Sequence, residues 1–275
     1  MELKFKAKNH KYESVDDPNR KWLSVTGLVS LFKEPFKQRE TAEKSSKKKK
    51  SKWYGMTPEK IINIWEMETK RATELGSWYH DQREAELISC DTIRRDGMDL
   101  PVFRPLEQDG IKLSPDQALV PGIYPEHMVY LKSANLCGQA DRVEIVGNKV
   151  NIYDYKTNKE IKTNGYTNWE GVTKMLLPPL NHLEDCNLMH YALQLSIYMY
   201  IVLKHNHSLE PGKMEIHHIV FELEDTDENG YPIVAVDDTG APIVKEVVPY
   251  EVPYLKREVV DLIKYIKINP NKLKK

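Results

Sequence analysis

The chain has 275 residues, with 40 basic and 41 acidic side chains and a formal net charge of −1. That length can bury a sizeable core, and 40% apolar with 29% charged content excludes the disordered and fibrous classes. The balanced charge exerts no global pull on nucleic acid, so any phosphate-binding surface must be a local patch.

No run of roughly 18 apolar residues suggests a membrane span. The first residues, Met1 to Lys8, lack the apolar stretch and cleavage site of a signal peptide. Cys90, Cys137 and Cys186 are odd in number and form no CxxC pair. They argue against a disulfide framework and for a reducing cytoplasm.

In chain order, the first forty residues predict a short strand pair and then a helix to about Phe36, capped by Ser24 or Thr26. Residues 43–52 carry the run Lys47-Lys48-Lys49-Lys50, which reads as a solvated loop or as a basic arm on phosphates. On the second reading Lys48 and Lys49 contact the backbone, and Trp53 and Tyr54 stack on splayed bases. Trp78 and Tyr79 are a second aromatic pair that reads either as stacking surface or as core. Thr57-Pro58-Glu59 starts a helix, with Thr at the N-cap, Pro at N1 and an acid in the first turn. Its pattern runs through Ile61, Ile64 and Leu75, past Gly76 and His80, to about Leu87. Residues 91–120 read as loops with a short strand.

Three strands follow, over 123–131, 135–146 and 149–157, the last two joined by a Gly147-Asn148 hairpin. A helix over about 185–205 is apolar on all sides in its middle and is therefore buried. A strand over 213–223, a hairpin through Asp237–Gly240 and an amphipathic helix over about 254–268 complete the chain. There is no repeat and no linker. The order predicts one domain over 1–275 of α/β (α+β) class, a central mixed sheet flanked by helices. A helical part spans about 1–90, the sheet and its helix about 120–225, and a C-terminal hairpin and helix about 230–275.

The hairpin carries the chemistry. Residues two apart on a strand share a face, so Asp154 and Lys156 point the same way. Counting back around the turn pairs the Asp141 region roughly with the Asp154 region. Two carboxylates suit Mg²⁺ or Mn²⁺, hard ions that take oxygen ligands, and the Tyr155 carbonyl adds a third oxygen. Lys156 would hold or deprotonate an attacking water and stabilise the charge that develops on a phosphate. Asp-x-Lys alone is also a common surface charge pair. Here the charges end stripes of Val143, Ile145, Val150 and Ile152, where unpaired charge is costly.

These residues resemble the PD-(D/E)XK nuclease superfamily, and within it the RecB-like exonuclease branch, including phage-encoded members and the mitochondrial genome-maintenance exonuclease. Gly76 and His80 match that branch's Gly-x-x-x-His helix, Glu126 its carboxylate on the preceding strand, and Gln194 with Tyr198 its Gln-x-x-x-Tyr helix. The resemblance implies a restriction-endonuclease-like core and metal bound by His80, Glu126, Asp141, Asp154 and the Tyr155 carbonyl. It also implies catalysis by Lys156, supported by Gln194 and Tyr198. The expected activity is DNA phosphodiester hydrolysis, exonucleolytic on ends or single strands in replication, recombination or repair. A site- or structure-specific endonuclease and a non-cleaving nucleic-acid-binding module are the alternatives. Three isolated cysteines cannot form the four-cysteine iron–sulfur site of some relatives, so no iron–sulfur cluster is expected. No Gly-x-x-x-x-Gly-Lys-Ser/Thr occurs, so a helicase or recombination partner would be a separate chain. The spacing of His182, Cys186 and His190 offers a rival zinc site without an evident fourth ligand.

Overall fold

In the computed structural model, which describes residues 2–6 and 11–269, an antiparallel pair β1 (Leu3–Lys6) and β2 (Lys11–Ser14) precedes β3 (Leu23–Ser24) and α1 (Val25–Ser30). The Ser24 hydroxyl accepts the Gly27 N–H at 3.0 Å, satisfying one orphan donor of the first turn. The helix ends at Ser30, short of Phe36, because Pro35 pushes Glu34 out of the helical region. α2 (Gln38–Lys47) follows, so the predicted loop over 43–52 is half helix. Lys48 and Lys49 turn in solvent just beyond it.

α3 (Pro58–Ile88) begins as the sequence indicates, with the Thr57 side chain accepting the Lys60 N–H at 3.3 Å. The loops expected over 91–120 are instead two hairpins. β4 (Thr92–Arg95) pairs with β5 (Met98–Pro101), and β6 (Leu106–Gln108) with β7 (Ile111–Leu113). Each turns on an Asp-Gly pair, Asp96-Gly97 and Asp109-Gly110, with both residues at positive φ. That is the type I′ turn, whose hand matches the twist of the flanking strands.

The main sheet contains β8 (Gly122–Leu131), β9 (Leu136–Val146), β10 (Lys149–Lys156), β11 (Glu210–Phe221) and β14 (Val244–Glu251), with β3 at one end. Its order is β14-β11-β10-β9-β3, and β8 lies along the other edge of β9. Gly147, at φ +60°, opens the tight turn that sets β9 antiparallel to β10. β10 and β11 are parallel, which demands a crossover; α4 (Asn187–His205) provides it. The hairpin β12 (Leu223–Thr226)–β13 (Pro232–Val234) and α5 (Lys256–Ile268) complete the chain.

Alternation along the strands divides the core. Val150, Ile152, Met214 and Ile216 face α4 and α5, whereas Tyr155, Ile219 and Phe221 meet Leu75, Trp78 and Tyr79 of α3. The sheet is therefore mixed and helix-flanked, in the restriction-endonuclease-like manner. Trp78 and Tyr79 resolve as core. Trp53 is also core: it is 7% exposed and packs edge-on against Trp65, so the expectation that it stacks on bases is corrected. Tyr54 stays exposed. No helix among the described residues is long and apolar enough to cross a membrane.

Candidate active site

The site lies where β9 loses a neighbour. On one edge β9 pairs with β10 from Arg142 to Val146 and with β3 at Leu136 and Cys137. Between them, Gly138 to Asp141 face a fork. There the Asp141 carboxylate replaces the missing ladder bond by accepting the Tyr155 N–H at 2.6 Å. On the other edge Glu126 sits opposite Asp141, out of the ladder and at φ +46°. A left-handed glutamate inside a strand costs on the order of 1 kcal/mol, the kind of strain that persists only where surrounding structure enforces it. Gln139 holds its carboxylate, donating from Nε2 to Oε2 at 2.6 Å.

His80 reaches the fork from α3. One turn earlier, a Cβ on Gly76 would stand 3.2 Å from Thr157 Oγ1, so the glycine permits the helix its close approach to the end of β10. His80 Nε2–H donates to the Tyr155 carbonyl at 3.2 Å. Its Nδ1 lies 3.5 Å from Asp141 and 3.7 Å from Glu126. The donor atoms of His80, Glu126 and Asp141 all fall within 4.8 Å of one another. Ligands about 2.1 Å from an octahedral Mg²⁺ stand roughly 3 to 4 Å apart, so the set fits an ion after small adjustment.

Asp154 is 1% exposed and lies outside that trio. Its Oδ1 accepts Gln194 Nε2–H at 3.0 Å, and its Oδ2 is in contact with the Lys156 ammonium. Lys156 Nζ also lies 5.0 Å from the centre of the Tyr191 ring. Gln194 Nε2 is 3.5 Å from the Tyr198 hydroxyl, and the Tyr198 ring presses on Gly138, where a Cβ would come within 2.7 Å of it. Gly138→Ala is therefore expected to cost about 1–3 kcal/mol, read as a melting temperature lowered by several degrees. An unchanged melting temperature would contradict this packing.

Burial and neighbouring charges oppose one another at this site. Burial pushes the Asp154 carboxyl up to about 6 despite Lys156, with Asp141 adding to the rise. Burial also raises Asp141 against the pull of His80 and Lys156. Burial works against protonated His80, yet Asp141 and Glu126 outweigh it and lift its pKa to about 9. For Lys156, burial is likewise outweighed by Asp154 and Asp141, and its pKa rises. Three carboxylates thus share one ammonium and one imidazole. A divalent cation resolves that imbalance, and the oxygen-rich donor set suits a hard one.

Among the described residues, the rival zinc spacing does not converge. His182 pairs with Glu258, Cys186 Sγ–H donates to the Thr163 carbonyl and His190 binds Asp185. Sequence reasoning missed Gln139 and Tyr191, although each shares a face with a recognised residue: Gln139 two before Asp141 on a strand, Tyr191 three before Gln194 on a helix. Tyr54, Lys48 and Lys49 lie exposed in the connection between α2 and α3. A cavity of about 460 Å³ lined by Arg71, Leu75, Thr157, Asn158, Lys159 and Phe221 adjoins the end of β10.

The sequence profile of the PD-(D/E)XK nuclease superfamily matches residues 42–267, from α2 into the end of α5 and across every residue of the site. No curated protein matches the chain. With the profile spanning most of the 275 residues and its hallmark carboxylates and lysine gathered at one fork, the chain belongs to the PD-(D/E)XK nuclease superfamily.

Proposed function

We propose that the chain is a Mg²⁺- or Mn²⁺-dependent deoxyribonuclease, and within the superfamily a RecB-like exonuclease. The observation that carries this reading is the convergence of His80, Glu126, Asp141, Asp154 and Lys156 at the fork of one sheet. His80, Glu126 and Asp141 would hold the ion. Asp154 and the Tyr155 carbonyl would add oxygens to its shell. When bound, the ion supplies Lewis-acid polarisation of the scissile phosphate.

The chain's own groups do the rest. Lys156 orients the attacking water and stabilises negative charge gathering on the phosphate oxygens. Asp154 fixes the Lys156 ammonium, and Gln194, backed by Tyr198, fixes Asp154. Tyr198 is itself buried, packed against Gly138 of the fork.

Binding of the ion is linked to folding, because the metal neutralises carboxylates that burial strains. Mg²⁺ at about 100 times its dissociation constant is expected to add about 2.7 kcal/mol, a rise in melting temperature of roughly 5–10 °C at about 2–4 °C per kcal/mol. Differential scanning fluorimetry against added EDTA checks it; no rise at saturating Mg²⁺ and Mn²⁺ would oppose the metal site. The exonuclease reading is tested with one DNA offered as a 5′- or 3′-labelled linear strand and as a covalently closed circle. Mononucleotides or short oligomers from the linear form, with the circle intact, are the expected result. Cutting of the circle would make the chain an endonuclease, and binding without cutting would make it a nucleic-acid-binding module.

A further inference from the structure

The segment that leaves β10 after Lys156 and returns at α4 is firmly built. Asn158 accepts the Tyr191 hydroxyl at 2.6 Å and, through its carbonyl, His218 Nε2–H at 2.6 Å. The Leu188 N–H binds the Lys162 carbonyl at 3.0 Å, and Gly165 N–H binds Glu184 at 2.7 Å. Residues 165–174 form a narrow hairpin. Asn168 Oδ1 accepts the Glu170 and Val172 N–H groups at 2.9 Å each, Gly171 takes φ +79°, and the Thr167 and Thr173 hydroxyls meet at 2.9 Å.

This fixed scaffold holds aromatic surface in water. Trp169 is 91% exposed and Tyr166 73% exposed, with Val172 beside them. A large aromatic so exposed forfeits the burial that normally accompanies its type. The other tryptophans of the chain, Trp22, Trp53, Trp65 and Trp78, are buried or half-buried.

We propose that the 165–174 hairpin is a stacking arm for unpaired bases, with Trp169 as its main platform and Tyr166 as a second, so that single-stranded DNA is the substrate class this nuclease holds. The proposal rests on the nuclease reading above and adds the form of the DNA. The segment that carries the arm leaves the catalytic strand after Lys156 and returns to the helix bearing Gln194. Around its aromatics stand Thr163, Asn164, Thr167 and Asn168 with one exposed acid, Glu170, and at its base lie the exposed Lys159 and Lys162, the latter 3.4 Å from Glu160. Aromatic platforms with neutral polar groups and nearby cations match a single strand's base faces and phosphates. A duplex keeps its base faces stacked on one another and offers the arm only a terminal pair. A stable protein partner would need a far wider apolar surface than two rings and a valine.

The test uses the full chain carrying Lys156→Ala, so that the DNA is not consumed, with fluorescein-labelled oligothymidylate and a relaxed closed duplex circle as probes. Because Trp169 is exposed, Trp169→Ala should leave the melting temperature nearly unchanged. Its expected effect is a roughly tenfold weaker grip on the oligothymidylate, in line with base stacking on an aromatic, and none on the circle. The dependence on salt should keep its slope, since no phosphate contact is lost. Trp169→Phe should restore most of the affinity. Unchanged oligothymidylate affinity in Trp169→Ala, or equal loss on both probes, overturns the arm. Digestion of the same oligonucleotide by the wild type in Mg²⁺ separates the two readings. Cutting with an indifferent Trp169 sinks the arm alone, and neither cutting nor binding sinks the nuclease reading and the arm together.

Discussion

Replacing Lys156 with alanine is expected to lower the rate of DNA cleavage by about 10³-fold or more, with folding and DNA affinity largely retained. The size follows from removing a preorganised cation aimed at developing negative charge, worth ~10²–10³ by itself, together with the group that orients the water. Loss of the ammonium leaves Asp154 without its cation, and a buried unpaired charge is ordinarily ruinous. Asp154 escapes that outcome because its pKa, already held up by burial, rises further and it takes up a proton. Gln194 still holds its other oxygen. Circular dichroism, gel-shift affinity and product release from a labelled strand read the three quantities separately. A variant that keeps wild-type turnover would remove Lys156 from the mechanism.

Asp141→Asn is expected to be as severe for catalysis and to differ in a telling way in stability. The asparagine oxygen can still accept the Tyr155 N–H that Asp141 takes at 2.6 Å, so the fork should keep its shape. What goes is a ligand charge. Cleavage should fall by about 10³-fold or more, and the rise in melting temperature on adding Mg²⁺ should shrink or vanish. The sign for the metal-free protein runs the other way. A carboxyl whose folded pKa lies above its unfolded one destabilises the fold at every pH above that folded value, and the cost disappears only on acidification. Asp141 is such a group. Without metal, near pH 8, Asp141→Asn should therefore be at least as stable as the wild type. Asp154→Asn should follow the same pattern, less cleanly because Lys156 loses its partner. A metal-free Asp141→Asn protein that melts well below the wild type would contradict the account of a strained, metal-awaiting site.

The main sheet and its helices were legible because their signals are local and strong: Thr57-Pro58 at a helix start, Gly147-Asn148 at a turn, alternation in β9 and β10. Of the candidate site residues, strand parity fixes the face of Asp154 and Lys156, whereas His80, Glu126, Gln194 and Tyr198 stood out through the resemblance to the family's motifs. The hairpins at Asp96-Gly97 and Asp109-Gly110 carried an equally plain turn signal, but their strands are three or four residues long and too short for alternation to register. The end of α1 was overrun because apolar periodicity continues through Phe32 while Pro35 breaks the backbone. The fork itself was illegible. It depends on β3 and β10 sharing one edge of β9 and on Glu126 adopting a left-handed backbone, both set by tertiary packing. Trp53 and Trp169 illustrate the same limit, as sequence made the buried one look like a platform and gave no reason to notice the exposed one.

The central claim is that metal held at this fork lets Lys156 and its neighbours hydrolyse DNA. Its most direct measurement is digestion of an end-labelled single strand by the wild type and by Lys156→Ala, each in Mg²⁺, in Mn²⁺ and in EDTA. The account predicts cleavage by the wild type with either metal, none in EDTA, and loss of about 10³-fold or more in the variant. Cleavage that persists in EDTA, or is equal in the two proteins, would contradict it.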